Sequence, residues 1–104
     1  MEIKVFWTQT ALNNLEDIFE YYKFRASVNV ARNIVKDIVS STIRIQNSPK
    51  IGKTEDLLKK RDLEYRFIVV RNYKIVYWLE GGYIKIATVF DTRQDPDKIK
   101  RTRY

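Results

Sequence analysis

The apolar residues of this sequence change their period halfway along it. Between residues 8 and 48 they recur every third or fourth position, and after residue 64 they recur every second one. The first spacing lines one stripe of a helix, and the second lines one face of a strand. In the first half, Leu12, Leu15, Ile18 or Phe19, and Tyr22 make one stripe, with Asn13, Asn14, Glu16, Asp17 and Glu20 opposite. Thr8 or Thr10 offers the N-cap oxygen, and acids placed early in the helix suit its dipole. After a break around residues 24–29, Ala31, Ile34, Val35, Ile38, Val39, Thr42 and Ile45 make a second, broader stripe, which Asn47, Ser48 and Pro49 end. Two helices joined this closely pack as an antiparallel hairpin.

The strand period appears first at residues 2–7, where Ile3, Val5 and Trp7 alternate with Glu2, Lys4 and Phe6. It returns at residues 65–70 and 73–79, separated by Arg71-Asn72, and at 83–90 after the turn Glu80-Gly81-Gly82. Residues 50–62 have little periodicity and read as a loop, with one helical turn at residues 55–60. The order β-α-α-β-β-β predicts an α+β domain spanning residues 1–104, a helical hairpin packed on one face of a mainly antiparallel sheet. Residues 97–104 form a basic tail, either a contact surface or a solvated, disordered end.

Composition removes whole mechanisms. The chain has no His and no Cys, so Ser-His-Asp and Cys-His catalysis, structural zinc sites and disulfides cannot be built within it. No metal or other cofactor is expected. Asp91 and Asp95 sit beside Arg93 and Pro96, where capping and turn roles suit them better than a metal site. The longest apolar run, residues 67–70, is far short of the roughly 20 residues that cross a bilayer. The N-terminus lacks a signal-peptide layout, so a cytoplasmic protein without a membrane partner is expected. The formal charge of +7 lies mostly after Gly52, where the excess is +5, and it predicts a polyanionic or acidic partner. Within that half Arg66, Lys74 and Lys85 stand on strands beside aromatic neighbours, and Arg93 follows the last strand. Cations and aromatics on one sheet face suit phosphates and bases, while solvated strands also carry Lys and Arg simply to stay soluble and guard edges. Trp7, Trp78, Tyr77 and Phe90 read as core.

Four segments together resemble the RelE/ParE superfamily of bacterial toxins. They are Trp7-Thr8 leading into the helices, residues 48–53 (Ser-Pro-Lys-Ile-Gly-Lys), Tyr65-Arg66 with residues 72–77 (Asn-Tyr-Lys-Ile-Val-Tyr), and residues 89–96 (Val-Phe-Asp-Thr-Arg-Gln-Asp-Pro). The resemblance implies the toxin of a type II toxin–antitoxin system, which inhibits growth and is held inactive by a cognate acidic antitoxin. It also implies one of two activities. RelE-like members cut messenger RNA on the ribosome with basic residues and a tyrosine, and ParE-like members poison DNA gyrase. On the RelE pattern Arg66, Lys74 and Arg93 are matched in charge and would be catalytic, with Tyr104 or Tyr77 assisting. The second strand lysine of that pattern is replaced by Ile68, and its stacking tyrosine by Ile99. The apolar alternation of residues 65–77 is similar to the ParE pattern, which is the favoured reading. A metal-independent mRNA endoribonuclease is the alternative, and a non-toxic binding module a further one.

Overall fold

A computed structural model describes residues 3–58 and 62–101. Strand β1 (Lys4–Trp7) leads into helices α1 (Gln9–Arg25) and α2 (Val28–Asn47). Then come a two-residue strand β2 (Lys53–Thr54), a 3-10 turn (Asp56–Leu58), and the strands β3 (Arg66–Val70), β4 (Tyr73–Glu80) and β5 (Tyr83–Asp91). A second 3-10 turn (Pro96–Arg101) closes the described chain. The sheet order is β1-β5-β4-β3-β2, antiparallel throughout except that β1 runs parallel to β5. This is the expected α+β arrangement, with β2 added to it.

The helices form for the expected reasons, with shifted ends. Of the two threonines it is Thr8 that caps α1: its hydroxyl accepts from the Ala11 N–H at 3.1 Å. Ser27 caps α2 by accepting from the Val30 N–H at 3.1 Å. The break between the helices is therefore only Ala26 and Ser27. No acid stands in the first turn of α1, so Glu16 and Asp17 lie too far along to gain from the dipole, which acts within that turn. The buried stripe of α1 runs through Ala11, Leu15, Ile18 and Tyr22, and Leu12 is exposed. In α2 Ala31, Ile34, Ile38, Thr42 and Ile45 are buried, and Val39 faces outward.

Alternation gives the sheet two apolar faces. The front face, under the helices, holds Ile68, Tyr73, Ile75, Tyr77, Ile84, Ile86 and Val89. The back face holds Tyr65, Val76, Trp78, Ala87 and Phe90, covered by Leu58 and Ile99 from the two 3-10 turns. Ile99 is fully buried, so the chain to Arg101 is packed down where a disordered end was one expectation. The strand at residues 83–90 is not regular either. Val76 pairs with Thr88 and Tyr77 with Ile86, which leaves Ala87 as an extra, bulged residue. The Gly81-Gly82 turn has φ of 58° and 80°, as a tight hairpin requires. Among the described residues no helix is long and apolar enough to cross a membrane.

Candidate functional site

Each segment that carries the family likeness ties two elements together. Thr8, at the entry to α1, directs its hydroxyl to the Ile86 and Ala87 carbonyls at 2.8 and 2.9 Å, so one residue caps a helix and holds the bulge in β5. In the loop after α2, the Gly52 N–H donates to the Tyr77 hydroxyl at 3.0 Å, and that hydroxyl donates to the Pro49 carbonyl at 2.8 Å. Arg66 donates to the Gly52 carbonyl at 2.9 Å and pairs with Glu64 at 3.0 Å. A Cβ on Gly52 would lie 2.7 Å from both the Phe67 carbonyl oxygen and the Tyr77 hydroxyl. Only glycine fits there. After β5, Asp91 accepts from Asn72 at 3.2 Å, from the Arg93 N–H at 2.9 Å, and from the Arg93 guanidinium at 3.1 and 2.9 Å.

These last residues border an open cleft of about 300 Å³ between α1 and the end of the sheet, lined by Asn14, Asp17, Tyr21, Tyr73, Asp91 and Arg93 among others. Its electrostatics are internally matched. The Arg93 side chain holds the Asp91 carboxyl below the usual carboxylate range, and Asp91 raises Arg93 in turn. Burial first, then the neighbouring Tyr22 hydroxyl, pushes the Tyr73 phenol above its ordinary value. Burial likewise raises Tyr77. Cleavage through a 2′-hydroxyl needs a base poised near neutral pH and cations facing the phosphate. Neither phenol is such a base, and an incoming phosphate has to compete with Asp91 for Arg93.

The residues singled out from sequence are not gathered in one place. Arg66 pairs in register with Tyr77 on the front face, whereas Lys74 stands opposite Val69 and Phe90 on the back face. The expectation that Arg66, Lys74 and Lys85 share one surface therefore fails, because their positions differ by an odd step across the β3–β4 register. Lys74 is held by the buried carboxylate of Glu55 at 2.9 Å and lies over the Phe67 ring at 4.4 Å. Lys85 pairs with Glu80 at 2.8 Å on the same back face. Tyr77 is wholly buried and its hydroxyl is spent on the 49–52 loop, so it fills a structural place and cannot assist at an exposed site. Tyr104 lies outside the described residues. Ile99, where a stacking tyrosine stands in the RelE pattern, is core. Asp95 accepts from the Asp97 N–H at 3.0 Å, a turn role, and no cluster of metal-ligating side chains occurs among the described residues.

Two residues with clear roles were missed by sequence reading. Asn14 accepts from the Thr88 hydroxyl at 2.7 Å and the Val89 N–H at 3.0 Å, tying α1 to β5 beyond the end of its pairing with β1. Its only signal was a polar residue one turn from the buried Ala11 and Ile18. Glu55 is 3% exposed, and nothing in a loop sequence announces a buried acid.

Comparison with known proteins gives the same picture. A family model described as the ParE toxin of the type II toxin-antitoxin system, parDE, matches residues 5–96. Among solved structures, a chain of the chromosomal ParDE toxin–antitoxin system from P. aeruginosa superposes with a TM-score of 0.72 at 18% identity, over 86% of this chain and 96% of that one. At that identity the superposition speaks for the fold. A search of curated proteins returned no match. With the helical hairpin, the sheet order and a family match over nearly the whole chain in place, the protein belongs to the ParE toxin family of type II toxin–antitoxin systems.

Proposed function

We propose that this chain arrests growth as a binding toxin of DNA gyrase, without cutting RNA, and is neutralised by an acidic antitoxin. The observation that carries this reading is the separation of Arg66 from Lys74 on opposite faces of the sheet, each already engaged by its own partner. Cations that act together on one phosphate have to face it together. A binding toxin needs no such assembly, only an accessible surface.

The surface assigned to the target is the tip of the helical hairpin. Residues 21–32 contain Lys23, Arg25 and Arg32 and no acid. Phe24 there is 90% exposed, with Tyr21, Val28 and Val30 also open. An aromatic anchor ringed by cations is the composition of an interface centre. The reading is tested by a supercoiling assay on purified toxin, run beside a map of messenger RNA ends after induction. Supercoiling should fall, recover when antitoxin is added, and require about tenfold more of a Phe24→Ala toxin, while messenger RNA stays intact. Normal supercoiling at high toxin concentration, or cuts within codons, overturns it.

A further inference from the structure

The back face of the sheet is covered on one side only. Over β4, the start of β3 and the end of β5, the two 3-10 turns bury Tyr65, Trp78 and Phe90. Toward β1 the cover ends, and Phe6 and Tyr83 are 50% and 41% exposed. Strand register puts Lys4 beside Tyr83 and Phe6 beside Lys85. The four side chains thus alternate aromatic and cationic in both directions, with neighbours about 5 Å apart across the strands and about 7 Å apart along them.

We propose that this open corner, formed by Lys4, Phe6, Tyr83 and Lys85, binds single-stranded nucleic acid, with bases stacked on the two rings and phosphates held by the two ammonium groups. The proposal stands apart from the gyrase reading and does not need it. Edge protection accounts for a lysine on β1, but it does not account for two half-exposed rings set diagonally across the β1–β5 pair, which add to the adhesive surface that edge lysines oppose. An acidic peptide would satisfy the ammonium groups and leave the rings uncovered. A nucleic-acid strand offers a π-face with every phosphate, and a chain of +7 draws it in.

Two further observations belong to this corner. Lys85 lies 5.8 Å from the Phe6 ring and 6.0 Å from the Trp78 ring, and Trp78 is its register partner on β4. Among the described residues the buried Trp78 indole N–H meets no acceptor in good hydrogen-bond geometry, yet the Glu80 carboxylate, held below its ordinary value first by Lys85, is also lowered by Trp78. A poorly met buried donor is a cost, and a phosphate oxygen taking the place of Glu80 beside Lys85 would answer to the same two groups. The exposed carboxylate of Glu80 now occupies Lys85 at 2.8 Å, so an incoming phosphate has to displace it. Glu80 therefore opposes binding, and its removal should strengthen it.

The test is fluorescence anisotropy of labelled dT and rU twelve-mers with the full-length toxin at low salt. At least one of the two should bind, and comparison of the two shows whether the sugar matters. Phe6→Leu, which keeps an apolar side chain but no π-face, should weaken binding about tenfold. Lys85→Gln should weaken it and lower the salt-dependence slope by about 0.7. Glu80→Gln should tighten binding several-fold, a sign that a merely structural role would not give. Circular dichroism confirms that each variant is folded. Absence of binding to both oligonucleotides overturns the proposal, as does affinity unchanged in Phe6→Leu and Glu80→Gln but reduced by Lys98→Ala in the second 3-10 turn.

Discussion

The two faces of this sheet are closed in different ways. The front is sealed by two helices of 17 and 20 residues whose stripes run the length of the strands. The back is sealed by two short 3-10 turns of 3 and 6 residues, each contributing one fully or almost fully buried side chain, Leu58 and Ile99. Long helices hold their side chains at fixed spacing, so a front-face cavity has little means of closing. A short turn can shift to follow a smaller side chain. The front is therefore expected to be rigid and costly to disturb, and the back to be adaptable and partly open, which is where the proposed nucleic-acid surface lies.

Two isoleucines put this difference to the test, since Ile38 in α2 and Ile99 in the second turn are both 0% exposed. Removing a buried isoleucine to alanine costs about 2–5 kcal/mol, depending on how far the site relaxes. Ile38→Ala belongs near the top of that range, at about 5 kcal/mol, and Ile99→Ala near the bottom, at about 2 kcal/mol. Urea denaturation of both variants measures the gap. Equal losses would break the contrast and make the back face as firmly packed as the front.

A somewhat smaller effect is expected at the polar pin of the back face. Glu55 and Lys74 are 2.9 Å apart, with the glutamate side chain almost wholly buried. Lys74→Ala leaves a buried carboxylate without its cation, at a cost of about 3 kcal/mol, the low end for a broken buried pair because Lys74 itself reaches solvent. Replacing both, as Glu55→Leu with Lys74→Met, should bring stability back to within about 1 kcal/mol of the native chain, since a buried pair contributes little net stability over apolar residues. The same urea midpoints decide. A double variant as unstable as the single one would mean that the pair also positions the 55–58 turn in a way apolar contact cannot.

The contrast between the faces also explains what could be read from the sequence. The helices and the three long strands were legible because each repeats its period over many residues, as at Ile34, Ile38 and Ile45 or at Tyr73, Ile75 and Tyr77. The first 3-10 turn, Asp56–Leu58, falls within the helical turn expected at residues 55–60, but the two-residue β2 is too short to show a pattern, and a lone Ile99 in a basic tail carries none. The likeness of the four segments was legible as well, but their local work was not. Thr8, Gly52, Tyr77 and Asp91 act through partners distant in the chain, such as Thr8 with Ile86 or Gly52 with Tyr77. The grouping of Arg66 with Lys74 failed for a related reason: residues on neighbouring strands share a face only in the right register, and register is set by the Arg71-Asn72 turn.

The smallest effect belongs to a polar corner of the front face, where Asp91 and Arg93 border the cleft beside α1. Arg93 holds the Asp91 carboxyl below its ordinary value, so in the folded protein the carboxylate is favoured over its unfolded counterpart, whose pKa is about 3.9. A carboxyl lowered on folding contributes stability above that unfolded pKa and loses it as the pH falls through the folded value. Asp91→Asn keeps an oxygen for the Asn72 amide and the Arg93 N–H but loses the charge. It should therefore cost about 1 kcal/mol at pH 7, and the gap from the native chain should shrink as the pH drops below about 4. Thermal unfolding of the two proteins from pH 7 down to pH 2 measures it. A gap that persists unchanged at pH 2 would show that Asp91 acts by shape and hydrogen bonding alone, and that its charge contributes nothing to the stability of the front face.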